Sequence, residues 1–154
     1  GLIRIKAERP MKFEYNDGGR SSCGLKGLAR DCVARSIAIA SGLPYKDVHD
    51  FLARKTGEQR AGKAGKRKAS ADHGVNTSRQ WFRDYMKSIG FSWTPTMAVG
   101  SGCQVHLRDG DLPIGRLVVS VSRHYTAVID GVIHDTHDPS RGGRRCVYGY
   151  WKLD

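Results

Sequence analysis

Apolar residues recur every three or four positions in the first half of the chain and every second position in much of the second half. The first helical stretch is DCVARSIAIASGLP, in which Val33 and Ile37 fall on one face. Asp31 is of a residue type favoured at helix N-caps, and Gly42 is of the type favoured just beyond a helix. The pattern therefore predicts a mostly buried helix that begins after Asp31 and ends near Gly42.

Two further helices are predicted before the period changes. One covers about Tyr45–Lys55, with apolar residues three and four positions apart, and ends near Gly57. The other lies in TSRQWFRDYMKSIG, where Thr77 and Gln80 have the spacing of a capping box and Gly90 follows the last turn. Each helix is expected to present one apolar stripe to the core.

The second half of the chain predicts a sheet. Short runs rich in β-branched and aromatic residues are separated by turn residues. Helices that precede the strands, instead of alternating with them, indicate an α+β domain in which N-terminal helices pack on one face of a C-terminal antiparallel sheet. The predicted strands are Phe91–Thr94, Arg116–Arg123, Tyr125–Asp130, Val132–Thr136 and Cys146–Leu153.

The segment RHYTAVIDGVIHDTHD predicts a tight β-hairpin. Asp130-Gly131 between two strand-like runs favours a two-residue turn, which pairs residues whose numbers sum to 261. In that register His124 shares a face with Asp135, its diagonal neighbour across the strands. Asp135 would then lie within hydrogen-bonding reach of the imidazole. A one-residue bulge would instead bring Asp138 to His124.

The length of the chain and the absence of long apolar runs suggest one globular domain at residues 11–154. No apolar run approaches the ~20 residues of a membrane span, and the N-terminus lacks the pattern of a signal peptide. We therefore expect a cytoplasmic protein with no membrane partner. Met11 followed by Lys12 has the form of a natural start, so residues 1–10 are expected to be an added or disordered segment.

A basic segment interrupts the helical half. The chain has a formal net charge of +11, and residues 54–79 hold eight Lys or Arg against two acids. Few large apolar residues occur there, which predicts a flexible loop at about residues 56–76. The loop would be either a solubilising insertion or a docking surface for nucleic acid or an acidic partner. The candidate partner-binding residues are Lys63, Lys66, Arg67 and Lys68.

The cysteines and histidines do not form a metal motif. The four cysteines are far apart, with no Cys-x-x-Cys pair, so reduced thiols are expected. His134 and His137 lack a third ligand at metal spacing. No metal and no cofactor are therefore predicted.

Cys32 occupies the first turn of the first predicted helix, where the helix dipole and free N–H groups favour a thiolate. The alternative is a small buried residue without chemistry. Asp31 would oppose thiol activation, because a nearby negative charge raises a thiol pKa, unless its carboxylate is turned into the helix cap. Together with His124 and Asp135, Cys32 supplies a nucleophile, a base and an acid that orients the base.

The motifs DCVARSIAIASG and RHYTAVIDGVIHDTHDPS together resemble the papain-like cysteine peptidase superfamily in its compact bacterial and phage forms. The resemblance implies a helix that begins at the nucleophile and packs on an antiparallel sheet carrying the base. It implies that Cys32 attacks an acyl carbon, His124 acts as base and then acid, and Asp135 orients His124. The expected substrate is a protein or peptide. The opening YNDGGR and the ending VYGYW are also similar to small phage and prophage proteins, which implies a host-cytoplasmic location.

One departure from the family concerns the oxyanion hole. Papain-like enzymes carry a glutamine shortly before the nucleophile, where this chain has Lys26. Asn16 in YNDGG is the candidate substitute donor, beside the backbone N–H of Cys32. The alternative for Asn16 is a plain turn residue. The alternative for the whole protein is a non-catalytic basic binding module on the same fold.

Overall fold

The computed structural model describes residues 10–21, 31–61, 75–98 and 100–154. Within these ranges the chain forms three helices and one six-stranded sheet. The helices are α1 (Cys32–Ser41), α2 (Tyr45–Ala61) and α3 (Gln80–Ser88). The strands are β1 (Lys12–Tyr15), β2 (Phe91–Pro95), β3 (Arg116–Val121), β4 (His124–Ile129), β5 (Val132–Asp135) and β6 (Val147–Leu153).

The predicted α+β class is confirmed, but the sheet is mixed and not purely antiparallel. The strand order is β1-β5-β4-β3-β6-β2, and β1 pairs with β5 in parallel while the other pairs are antiparallel. Strand β1 was not predicted from the sequence. All four of its residues are exposed, so no half-buried alternation marks the strand. Its position depends on pairing with a strand more than a hundred residues away.

Side chains on the two faces of the sheet enter two separate apolar clusters. Val118, Ala127 and Trp151 pack with the three helices, as predicted for one face of the sheet. Leu117 and Val128 alternate with them and enter the cluster on the other face. The central strands are therefore buried on both sides, which holds the ends of β3, β4 and β5 in fixed positions.

Helix α1 has the predicted bounds but not the predicted cap. It ends at Gly42, whose φ of 80° is left-handed and whose N–H donates to the Ala38 carbonyl at 2.9 Å. At the other end Asp31 holds the N-cap position, yet its side chain makes no capping hydrogen bond. The carboxylate instead accepts hydrogen bonds from Arg35 and the Tyr45 hydroxyl. A stronger, charged partner has displaced the local cap.

Helix α2 continues past the predicted end at Gly57 as far as Ala61. A single glycine costs only about 1 kcal/mol in a helix interior, and the flanking Lys, Glu, Gln and Arg are good helix formers. Lys55 and Glu58 also lie within 3.9 Å at an i,i+3 spacing. The start predicted for the flexible loop, about residue 56, is therefore wrong. Lys63, Lys66, Arg67 and Lys68 lie outside the described residues.

The predicted capping box of α3 is absent. Gln80 donates its side-chain N–H to Asp84 at 2.8 Å, and no side chain caps the helix at Arg79. Thr77 instead accepts a hydrogen bond from the Tyr125 hydroxyl at 2.7 Å. A tertiary contact with β4 has therefore replaced the local motif.

The hairpin between β4 and β5 has the predicted register. Val128 lies opposite Ile133, and the turn residues Asp130 and Gly131 have φ values of 48° and 82°. Positive φ at both positions is the signature of a type I′ turn. Gly115, the residue before β3, donates its N–H to the Asp130 carboxylate at 2.9 Å. This hydrogen bond connects the turn to the start of the adjacent strand.

The expectation of reduced thiols is wrong for one pair. Cys103 and Cys146 form a disulfide, with Cα atoms 5.9 Å apart and a separation of 43 positions in sequence. The sequence pattern does not predict this pairing, because the disulfide joins two distant segments, the loop before β3 and the residue before β6. Among the described helices none is long and apolar enough to cross a membrane.

Candidate active site

The candidate site lies where three elements converge at one end of the sheet. Cys32 is the first residue of α1, His124 the first of β4 and Asp135 the last of β5. The Cys32 thiol hydrogen-bonds His124, and His124 Nε2 lies 2.7 Å from Asp135 Oδ2. The predicted contact between His124 and Asp135 is confirmed. Since Nε2 faces the carboxylate, Nδ1 is the ring nitrogen left for the thiol.

The surroundings of Cys32 favour its thiolate. Burial raises the pKa of this half-buried thiol, but the hydrogen bond and positive charge of His124 outweigh burial. The backbone N–H of Tyr125 and the guanidinium of Arg35 act in the same direction, so the net pKa is lowered. The thiol is therefore poised as a nucleophile.

The imidazole and the carboxylate stabilise each other's charged forms. Burial lowers the pKa of His124, but the hydrogen bonds with Asp135 and Cys32 prevail and raise it to about 9. Burial raises the pKa of Asp135, while hydrogen bonds from His124 and Thr126 bring it to about 2. Near neutral pH His124 is therefore an imidazolium and Asp135 a carboxylate, and the lowered pKa of Cys32 favours the thiolate beside them.

A buried arginine links this row to the helix. Arg35 Nη1 lies 2.7 Å from Asp31 Oδ1 and Nη2 lies 3.2 Å from Asp135 Oδ1. The side chains are 4%, 0% and 2% exposed, respectively. Asp31 is also 3.2 Å from Arg20 Nε. The charge of Asp31, which the sequence suggested would oppose thiol activation, is thus compensated by two cations.

Sequence reasoning missed Arg35. The Asp31–Arg35 spacing of i,i+4 was a visible signal, because such pairs stabilise helices. The contact from Arg35 to Asp135, however, joins residues a hundred positions apart. No local sequence pattern predicts this contact.

Further donors saturate the carboxylate of Asp135. Oδ2 accepts from Thr126 Oγ1 at 2.7 Å, and Oδ1 accepts from the Thr136 N–H at 2.7 Å. The β4–β5 ladder ends at Ala127 and His134, one pair before Thr126 and Asp135. The strands part here, and Arg35 of α1 reaches the carboxylate at this point.

The alternative acid, Asp138, does not take this place. The described β4–β5 register contains no bulge, and Asp138 Oδ1 accepts the Ser140 N–H at 2.9 Å in a turn. Exposed His137 does lie near the site, with its ring centroid 5.0 Å from that of His124.

Asn16, the candidate oxyanion donor, sits just past β1. Its backbone N–H donates to the Asp135 carbonyl at 2.9 Å, and its Oδ1 accepts the Gly18 N–H at 2.8 Å. The oxygen therefore serves a turn, as the alternative interpretation expected. Whether the amide nitrogen of Asn16 serves an oxyanion stays a prediction. Lys26 lies outside the described residues.

His124, Asp135 and His137 offer ligand atoms within 4.8 Å of one another, a spacing that could suit a metal. The donor set fits poorly, because the Asp135 oxygens already accept hydrogen bonds and the guanidinium of Arg35 lies 3.2 Å away. His134 is not part of this cluster and lies 3.5 Å from Glu14 instead.

A cavity of about 220 Å³ lies next to the site, although Cys32 and His124 are not among the residues that line it. Tyr125, whose backbone N–H bonds Cys32, also lines this cavity. The wall is largely aromatic, with one cation, which suits an extended chain with apolar groups. The lining residues are Thr77, Ser78, Arg83, Trp93, Ser120, Tyr125, Tyr148 and Trp151.

Searches against family models, curated proteins and solved structures find no match to this chain. Function is therefore inferred from the residues and the geometry of the site.

Replacing Arg35 with Met should strongly destabilise the fold. The change leaves Asp31 and Asp135 buried with one cation fewer, a loss that typically costs about 3–5 kcal/mol. Arg83→Met, at an exposed position of α3, is the matched control and should change stability by about 0.5 kcal/mol or less. Urea denaturation followed by circular dichroism gives both values. Equal losses in the two variants would refute the role of the buried pair.

The alkylation rate of Cys32 should depend on pH through His124. Because the pKa of Cys32 is lowered from 9.0, the thiolate should persist, and react with iodoacetamide, below the pH range of an ordinary thiol. The His124→Ala substitution removes the hydrogen bond and the positive charge that lower the pKa of Cys32, while burial still raises it. The midpoint of the rate profile should therefore move to higher pH. Peptide mass spectrometry at a series of pH values measures both profiles. An unchanged midpoint would contradict the coupling.

Proposed function

We propose that this protein is a papain-like cysteine hydrolase that cleaves an amide or isopeptide bond in a protein or peptide. One observation supports the proposal above all, namely the unbroken row of Cys32 thiol, His124 imidazole and Asp135 carboxylate at the start of a helix. Nucleophile, base and orienting acid each occupy the position that their chemistry needs.

The chemistry follows from the charges of the row. The Cys32 thiolate attacks the carbonyl carbon, and the new S–C bond pushes the carbonyl electrons onto oxygen. When the tetrahedral intermediate collapses, the C–N bond breaks and the imidazolium of His124 gives its proton to the leaving nitrogen. Neutral His124 then takes a proton from water, whose oxygen attacks the thioester and releases the acid. Cys32 leaves as the thiolate and the imidazolium is restored.

The remaining groups hold this machinery in place. Asp135 keeps Nε2 of His124 engaged, so that Nδ1 faces the sulfur. The backbone N–H of Cys32, at the start of α1, is a candidate donor to the oxyanion, with the amide of Asn16 as a second candidate. An amine in place of water would give acyl transfer from the same thioester.

The acyl-enzyme can be tested without knowing the natural substrate. With p-nitrophenyl acetate we expect acetyl transfer to Cys32, detected by peptide mass spectrometry, and a burst of nitrophenolate. Asp135→Asn should slow the burst by about 10²–10⁴-fold, because general acid–base catalysis depends on an oriented imidazole. Cys32→Ser should abolish the thioester.

Asp138→Asn is the matched control for this test. It removes an equally charged carboxylate three residues away on the exposed surface and should change the burst by no more than about twofold. Equal effects of the two Asn variants, or acetyl groups spread over other residues, would refute the proposed triad.

A second function, a non-catalytic basic binding module, is favoured by the charge around the same end of the sheet. Exposed Arg123 lies in the turn before His124, and exposed Arg141 and Arg144 lie in the loop before β6. Arg145 joins the two segments, since its Nη2 donates to the Ser122 carbonyl and its Nη1 to the Pro139 carbonyl. This rim could attract nucleic acid or an acidic protein, with or without the help of Lys63–Lys68.

Binding to a fluorescent oligonucleotide and to polyglutamate at several salt concentrations tests this module. The combined Arg141→Ser and Arg144→Ser variant should bind more weakly. The slope of the logarithm of the binding constant against the logarithm of salt concentration should fall in magnitude by about one for each phosphate that an arginine no longer neutralises. Arg54→Ser, at an exposed position of α2, should leave the slope unchanged. The module is refuted if both variants bind alike or if affinity ignores salt. Cys32→Ser should not affect binding, which separates this function from hydrolysis.

A further inference from the structure

A second cluster of chemically active side chains surrounds the disulfide. Cys103 and His106 lie in the loop before β3, and Cys146 lies just before β6. His106 Nε2 is 3.6 Å from Cys103 Sγ, and His106 forms a β-bridge with Cys146. All three residues are half-buried, so solvent and small ions reach them.

The spacing suits tetrahedral zinc. Zn–S bonds of about 2.3 Å and Zn–N bonds of about 2.1 Å at tetrahedral angles separate sulfur from nitrogen by about 3.6 Å. Cys103 and His106 already have this separation, at 3.6 Å. The Cα atoms of Cys103 and Cys146 are 5.9 Å apart, so both sulfurs can face one ion after the bond between them is broken.

Backbone hydrogen bonds hold His106 and Cys146 side by side independently of the disulfide, and Cys103 lies three residues before His106. The Val147 N–H donates to the Val105 carbonyl at 2.8 Å, and the Leu107 N–H donates to the Arg145 carbonyl at 2.8 Å. These bonds flank His106 and Cys146. After reduction the imidazole of His106 and the thiol of Cys146 stay side by side, with Cys103 Sγ close to His106 Nε2, which lowers the ordering cost of binding an ion.

The far nitrogen of His106 lacks a hydrogen-bond partner but faces an acid. Nδ1 is buried and unpaired, and it lies 4.0 Å from Asp111 Oδ2. Asp111 is held in place by the His106 N–H at 3.0 Å and by Arg108 Nε at 3.0 Å. A histidine that binds a metal through Nε2 commonly turns Nδ1–H toward a carboxylate, which orients the ring and increases its basicity.

We propose that the reduced protein binds Zn²⁺ through Cys103 Sγ, Cys146 Sγ and His106 Nε2, with the fourth position open to water. A dithiol reductant supplies the two electrons and two protons that convert the disulfide to thiols, and is itself oxidised to a disulfide. Zn²⁺ then displaces the two thiol protons. The disulfide and the bound ion exclude each other, so the site holds zinc only under reducing conditions.

Cobalt serves as the spectroscopic probe, because tetrahedral Co²⁺ bound to thiolates absorbs in the visible and shows thiolate charge-transfer bands in the near ultraviolet. The full chain, reduced with a phosphine that is then removed anaerobically, should bind one equivalent of Co²⁺ with both features. One equivalent of Zn²⁺ should displace it. Cys103→Ser and Cys146→Ser should each lose the charge-transfer intensity of one thiolate, and His106→Ala should weaken binding at least tenfold.

Two controls separate this site from the candidate active site. Cys32→Ser and His137→Ala should leave the cobalt spectrum unchanged, because neither residue belongs to the cluster. In unmodified protein, Zn²⁺ should slow iodoacetamide labelling of reduced Cys103 and Cys146 but not of Cys32, which tests the site even if a variant misfolds. The proposal is overturned if reduced protein shows no thiolate bands, if Cys32→Ser removes them, or if zinc gives Cys103 and Cys146 no protection.

Discussion

The structure of the candidate site depends on one buried cation. Arg35 bridges Asp31, at the start of α1, and Asp135, at the end of β5, and all three side chains are sealed from solvent. Buried charges are tolerated only when they are paired and hydrogen-bonded. The ion pairs therefore fix helix to sheet at the place where Cys32 meets His124. Gly18 permits this packing, since a Cβ there would lie 3.1 Å from the Arg35 carbonyl.

The same cation connects fold stability with thiol chemistry. Charges alternate from Arg20 through Asp31, Arg35 and Asp135 to His124 and the sulfur of Cys32. Each carboxylate has cationic neighbours, so neither Asp31 nor Asp135 acts as an uncompensated negative charge near the thiolate. An imidazolium can then persist beside the sulfur despite burial. The zinc site proposed at Cys103 has a similar order of groups, with Asp111 4.0 Å from one nitrogen of His106 and sulfur 3.6 Å from the other.

Errors in the sequence-based predictions have a common cause. The capping box of Thr77 and the cap of Asp31 were valid local options, but Tyr125 and Arg35 offered stronger distant partners. The disulfide of Cys103 and the parallel strand β1 likewise depend on residues far away in sequence. Helix α2 was underestimated because a lone glycine was given more weight than its helix-forming neighbours.

The sequence by itself determined whatever depends on short-range geometry. Asp130-Gly131 sets the turn, the turn sets the register, and the register places His124 and Asp135 on one face with the acid in reach. The bounds of α1, and hence the position of Cys32 at its N-terminus, follow in the same way from local residues. Only the tertiary structure decided that this helix end meets that hairpin, because the apolar packing of α1 on the sheet and the pairing of Arg35 with Asp135 join residues that lie far apart in sequence.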